Sequence, residues 1–435
     1  MKSYLNSLRV LVLAALAFVI AWYPVATVFA AAARAFDALQ RSLQPGPQSL
    51  ATFRGVTLTN LIPEVYSALD VVSRKLVGMI PAVMRDSTAE RAAVGQLVRS
   101  FVAPAAAATN ITPGVTPPND GDQVIGNVQM TITKARRVPF RWTGEETRGA
   151  NNGGPGSRAI QAAQIQQAIR TLTNEMEADL CALHIGASRA YGTAGTTPFA
   201  TDLSDTAQVR KILVDNGAPV QGGWRLVMDT AAGAKMRTLT QLTKANEAND
   251  ATLLRQGVLL DVHGGMLRES AQVAQAVAIG TAAAYTTTAA GFAVGTTTIP
   301  LITGTGTILA GDVVTFAGDT NKYVVATGIA APGSIVLAAP GLRKAIAASA
   351  TAISLVAAAA RNMAFTPNAI AFATRAPALP DDQDMAVDRT MITDERSGMT
   401  FELALYAQYR QMQYELSAAW GQAVQKAEHF ALLLG

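Results

Sequence analysis

Apolar positions spaced by threes and fours give the first picture of this chain. Between Ser157 and Ala190, Ile165, Ile169, Leu172, Met176, Leu180, Leu183 and Ala187 advance in such steps. The spacing predicts a long helix with one apolar stripe and with Gln, Arg, Glu and Asp opposite, bounded by NNGGPG (151–156) and Gly192–Gly195. A second stripe, Ile62, Val65, Tyr66, Leu69, Val72 and Leu76, predicts a helix over 61–82 that Gly78 and Pro81 end. Period-two alternation takes over elsewhere. Phe401, Leu403 and Leu405, then Met412, Tyr414 and Leu416, read as half-buried antiparallel strands, with a turn signal at Ser397-Gly398. NAIAFATRAPALP (368–380) alternates until Pro377 and Pro380 break it. Val128, Met130 and Ile132, followed by Val138, Phe140 and Trp142, predict a two-stranded ribbon over 126–148. Its exposed face is charged: Arg137, Arg141, Glu145, Glu146 and Arg148. The Pro-, Ala- and Gly-rich stretch 99–124 before it reads as an extended connector.

Helix and strand alternate from 204 to 270. Asp205 and Gln208 form a capping signal for a helix through Val209, Ile212 and Leu213, which Gly217 and Pro219 stop. WRLVM (224–228) reads as a buried strand, then a helix runs through Met236, Leu239 and Leu242, and GVLLDVHG (257–264) reads as a further strand. The character changes over 280–360. No charged residue occurs between Glu269 and Asp312, and short Thr-, Val- and Ala-rich runs separated by Gly and Asp turns predict a small barrel or sandwich.

Composition narrows the function classes. At 435 residues the chain exceeds one compact core and suggests two to four lobes. Its formal charge is +4, and residues 1–55 alone carry that excess through Lys2, Arg9, Arg34, Arg41 and Arg54 against Asp37. Residues 56–435 therefore balance to zero, and no basic domain argues for sequence-specific nucleic-acid binding. Lys2 and Arg9 precede an uncharged run from Val10 to Ala33 that looks like a secretory signal or a membrane helix, though Pro24 interrupts it. The single cysteine, Cys181, permits no internal disulfide and reads as a small buried hydrophobe.

A search for chemistry finds none. His184, His263 and His429 have no metal-ligand spacing, and HExxH, GxSxG and phosphate-loop motifs are absent. Cys181 and His184 lie one helical turn apart, which reads as packing. Asp381, Asp382, Asp384 and Asp388 lack the Gly and terminal Glu of a calcium loop and read as a solvated acidic loop. No cofactor, metal or catalytic residue is expected, and the protein is not expected to be an enzyme.

RTMITDERSGMTFELALYAQYRQMQYELSAAWG (389–421), together with TLTNLIPEVYSALDVVSRKLVGMIPAVMRD (57–86), closely resembles tailed-phage major capsid proteins of the podovirus coat-protein family with an inserted β-domain. The resemblance spans about 56–435. It implies an α+β chain with the Hong Kong 97-like capsid fold: a long spine helix, an extended β-hairpin loop, an α/β axial domain and an inserted small β-barrel. The implied division is a signal-like or mis-started extension (1–55), an N-arm (56–115), the extended loop (116–155), the peripheral domain with the spine helix (156–204), the first part of the axial domain (205–279), the inserted β-domain (280–362) and returning strands (363–435). The extended loop would lie on a neighbouring subunit through Arg136, Arg137, Phe140, Arg141, Trp142, Glu145 and Glu146.

The function implied is self-assembly into the icosahedral shell of a tailed phage or prophage that encloses double-stranded DNA. Implied partners are further copies in hexamers and pentamers, scaffolding and portal proteins, and DNA bound without sequence specificity, with no stable membrane partner. The protein would belong to the virion and assemble in the host cytoplasm, and residues 1–55 would come from an upstream start site. The alternatives are an envelope-anchored or secreted β-rich structural protein and a capsid-derived compartment for cargo.

Overall fold

The computed structural model describes residues 75–86, 91–102, 108–116, 122, 124–152, 156–243, 261–380, 384–395 and 397–435. The extension 1–55 and residues 61–74 of the helix expected over 61–82 lie outside them. Lys75–Gly78 is not helical, a turn follows, and the chain enters strand β1 (Met84–Asp86). Gly78 is held against the adjoining sheet so closely that an added Cβ would come within 2.5 Å of the Glu269 carbonyl oxygen.

Next come β2 (Leu97–Val102), β3 (Gly126–Thr131), β4 (Lys134–Thr143), helix α1 (Gly144–Asn151) and helix α2 (Ser157–Cys181). The helical stripe of the sequence is the buried side of α2: Ile169, Leu172, Met176 and Leu180 are all buried in the largest hydrophobic cluster. A 3-10 turn carries the chain from Ala182 to Gly186 and on to β5 (Arg189–Tyr191). The helix–strand section follows as α3 (Ser204–Asp215), β6 (Trp224–Met228), α4 (Thr230–Arg237) and β7 (Gly265–Glu269). Here two expectations are corrected. The Asp205 carboxylate does not cap α3; it accepts the Phe199 backbone N–H at 2.7 Å. Of the strand expected at 257–264, residues 257–260 lie outside the described part and 261–264 lead into a turn, since His263 and Gly264 take left-handed backbone angles between Val262 and Gly265, where β7 begins.

The Thr/Gly-rich section supplies β8 (Thr286–Thr287), β9 (Thr298–Ile302), β10 (Val313–Phe316), β11 (Lys322–Thr327), β12 (Ser334–Leu337) and β13 (Ile353–Leu355). They enclose their own cluster around Tyr285, Ile299, Phe316, Tyr323, Ile335 and Leu342. The last strands are β14 (Arg361–Phe365), β15 (Ile370–Arg375), β16 (Ala386–Asp394), β17 (Met399–Gln408), β18 (Gln411–Val424) and β19 (Phe430–Leu434).

Among the described residues the strands form three sheets, giving a mixed, sheet-rich α+β architecture. The first runs β1-β15-β18-β17-β16, with β4 paired along the other side of β18 from Gln411↔Thr143 to Trp420↔Lys134. The second runs β7-β6-β14-β19-β5-β11-β12-β9-β8, with β10 between β11 and β13, so the Thr/Gly-rich strands join the rest of the sheet at β5, through Tyr323↔Arg189 and Lys322↔Ala190. The third is β2 with β3 alone.

This pairing corrects the ribbon read from the sequence. β3 and β4 do not pair with each other. β3 pairs with β2, which overlaps the start of the stretch read as a connector, and β4 belongs to the first sheet. Alternation fixes which side of a strand is buried but says nothing about its neighbour.

Candidate subunit interface

The expected contact residues divide between the two sides of β4. Trp142 is 2 % exposed and donates from Nε1 to Gln164 Oε1 of α2 at 2.7 Å. Phe140, on the same side, stacks on Tyr414 with ring centres 5.2 Å apart and planes within 7°. Trp142 is thus taken up by its own chain's core, while Phe140 stays half-buried beside Tyr414. Further along this side, Lys134 reaches Glu175 at 3.1 Å and Asp179 at 2.8 Å, and Arg136 reaches Glu175 at 3.3 Å. Asp179 also accepts the Trp420 Nε1–H at 2.9 Å, so a chain of charge and indole groups fastens β4 and β18 to α2.

Arg137 and Arg141 project from the opposite side. Arg137 meets Glu415 of β18 at 2.6 Å, and Arg141 is half-buried. Glu146 is spent on the start of α1: it accepts the backbone N–H of Thr143, whose hydroxyl in turn accepts the Glu146 N–H. Glu145, exposed in the first turn of α1, adds negative charge where the helix dipole favours it.

The outer side of the first sheet carries a second charge network. Arg91 grips Glu402 through two bonds of 2.8 Å, Arg389 reaches the same carboxylate at 3.1 Å and also binds Asp384, and the Tyr406 hydroxyl donates to Asp384 at 2.8 Å. Burial alone would raise the Glu402 carboxyl, but the two arginines outweigh it and hold it below the usual carboxylate range. Beside this network a groove of about 330 Å³ runs between Arg137, Leu379, Tyr406 and Glu415. Of the acidic loop, Asp384 is thus engaged and Asp388 is exposed, while Asp381 and Asp382 lie outside the described residues.

The β2–β3 ribbon is the surface that sequence reasoning missed. Its base is fixed, since Met130 is buried with Ile132, Ala371 and Ala419, and Val98 packs against them. Its far end is bare: Phe101 is 83 %, Val124 87 % and Ile125 67 % exposed. The available signal was the apolar run Leu97, Val98, Phe101 and Val102, obscured by the Ala/Pro run beginning at Ala103.

His263 Nδ1 lies 2.7 Å from the Thr206 hydroxyl. Cys181 Sγ lies 3.9 Å from Ser270 Oγ, and burial, reinforced by the nearby Glu177 charge, pushes its pKa up to about 12. His184 Nδ1 faces the Cys181 carbonyl at 3.2 Å, and burial lowers its pKa. Among the described residues no group of three His, Cys, Asp or Glu side chains could hold a metal, and no helix is long and apolar enough to cross a membrane.

No protein-family model and no curated protein matches the chain. Solved structures do. A chain of Mycobacterium phage Che8 is 13% identical and aligns over 87% of this chain and 98% of its own, with a TM-score of 0.43. The capsid of the cyanophage P-SCSP1u is 11% identical over 86% and 93%, with a TM-score of 0.47. The capsid of a native GTA particle is 10% identical over 89% and 99%, with a TM-score of 0.41. The latter two are named as capsids.

Proposed function

We propose that this chain is the major capsid protein of a tailed phage or prophage, a non-enzymatic subunit that assembles into a closed icosahedral shell around double-stranded DNA. On this reading it has the Hong Kong 97-like fold, with α2 as the spine helix and residues 280–362 as the inserted β-domain. It would work in the virion, with scaffolding and portal proteins as assembly partners.

The observation that carries the reading is the β2–β3 ribbon. A two-stranded ribbon is at best marginally stable by itself and needs a surface to lie on. This one is anchored at its base and exposes Phe101, Val124 and Ile125 at its far end. A neighbouring copy supplies such a surface, repeated at every position of a lattice. The extended-loop role thereby moves from 126–148 to the β2–β3 ribbon.

The test is sedimentation of the full chain against Phe101→Asp with Ile125→Asp. The unmodified protein should form large, uniform particles, and the variant should stay folded as monomers or small oligomers. Particles formed by the variant at normal yield would defeat the ribbon contact, and failure of the unmodified chain to form particles under any condition would defeat the shell.

A further inference from the structure

Residues 75–85 cross the β7–β6 side of the second sheet. Ala271 N–H donates to the Leu76 carbonyl at 3.1 Å, Gly78 lies on Glu269 and Val227, and Arg225 Nη1 binds the carbonyls of Pro81, at 3.0 Å, and Ala82. Four cations lie along this crossing. Lys75 reaches Gln272 at 3.4 Å. Arg268 of β7 and Arg225 of β6 share one side of their sheet, since Arg225 pairs with Met266 and Val227 with Arg268. Arg85 Nη1 binds the carbonyls of Ser397 and Gly398, each at 3.3 Å.

Among the described residues, four acids on the neighbouring elements are engaged elsewhere. Glu177 holds the backbone N–H groups of Gly78, Met79 and Ile80. Glu269 is bound by both Nη atoms of Arg237 at 2.5 and 2.6 Å, Asp86 by Arg375 at 3.4 Å, and Asp394 by the Ser397 N–H and hydroxyl. Among the described residues none of Lys75, Arg85, Arg225 and Arg268 forms an ion pair. Burial lowers the pKa of Arg225 first, and the charges of Arg268 and Arg85 lower it further, as crowded like charges require.

We propose that Lys75, Arg268, Arg225 and Arg85 form a stripe that binds the phosphodiester backbone of nucleic acid without reading bases. The inference rests on the shell reading and names a contact between the subunit and its contents. Arg85 and Arg225 are oriented by the backbone carbonyls they hold, so their guanidinium groups are positioned before a phosphate arrives. The apolar neighbours Leu76, Met84 and Met266 are exposed one at a time, beside different cations, and offer no pocket for the aromatic or aliphatic anchor of a protein partner.

The test uses the full chain and a fluorescent 40-bp DNA duplex of arbitrary sequence, with binding followed by anisotropy across a sodium chloride series. Each phosphate contact steepens the dependence of log K on log salt by about 0.9. Arg85→Gln and Arg268→Gln spare Arg225, which also holds the crossing segment, and each should lower the slope by about 0.9, together by about 1.8. An unchanged slope in the double variant, with its melting temperature unchanged, overturns the stripe. Competition by poly-glutamate as effective as that by duplex of equal charge also overturns it, in favour of an acidic protein segment. Particle formation is scored separately on the same samples: normal particles with an unchanged slope defeat the stripe alone, whereas an unmodified chain that never assembles defeats the shell.

Discussion

Glu177 is fully buried, and its carboxylate takes three consecutive backbone N–H groups, those of Gly78 and Met79 at 2.7 Å and of Ile80 at 2.9 Å. Glu177→Gln keeps the shape but replaces one acceptor oxygen with a donor facing another donor. The variant should lose about 1–3 kcal/mol, the cost of a buried group left without its partner, measured by urea unfolding, and amide exchange at 78–80 should quicken selectively. In the sequence, Glu177 counts among the polar residues opposite the stripe of α2. What buries it is backbone from a segment almost a hundred residues earlier in the chain, and backbone donors leave no mark in side-chain patterning.

At the scale of elements, a strand's period reports its burial while its partner is decided by geometry far away in sequence. Helix α2 was legible because its stripe, Ile165 to Leu180, is set by the helix itself. β16, β17 and β18 were legible because short turns join neighbours, at 394–399 and 408–411. β4 was not: its partner lies 278 residues away at Arg137–Glu415, so the apparent hairpin with β3 was only proximity along the chain. Two truncations separate the roles. Trp142→Ala should cost about 3–5 kcal/mol of subunit stability, as for a large aromatic side chain removed from a core. Phe101→Ala should change subunit stability by no more than about 0.5 kcal/mol and should weaken assembly instead. Urea unfolding of unassembled subunits gives the first pair of values, and the critical concentration for particle formation gives the second. The Arg137–Glu415 pair is itself exposed on the arginine side and adds little to stability.

For the whole molecule, the order of sections along the chain was readable, from the α2 spine through the helix–strand section to the Thr/Gly-rich strands. How those sections join was not, since the Lys322↔Ala190 and Tyr323↔Arg189 pairs that link them have no signature beyond ordinary strand residues. The Arg91–Glu402–Arg389 network gives the subunit a pH dependence. A carboxylate held below its ordinary value contributes stability that is present above the unfolded-state pKa, near 4.5, and is lost as pH falls through the lower folded-state value. Unassembled subunits should therefore hold a steady melting temperature near neutrality and lose it below about pH 4.5. Glu402→Gln should start lower and fall less steeply over that range. An identical acid slope in the variant would show that other carboxylates govern it.

β19 lies in the interior of the second sheet, antiparallel to β14 through Arg361↔Leu434 and parallel to β5 through Leu432↔Ala190. Residues 430–434 are also the last of all these strands to be synthesised. Until they leave the ribosome, β14 with β6 and β7 on one side and β5 with β11 on the other face an empty lane. At roughly 5–20 residues per second, the helix–strand section waits many seconds after its own synthesis for the strand that joins it to β5. A chain interrupted before these residues is left with β14 and β5 unjoined.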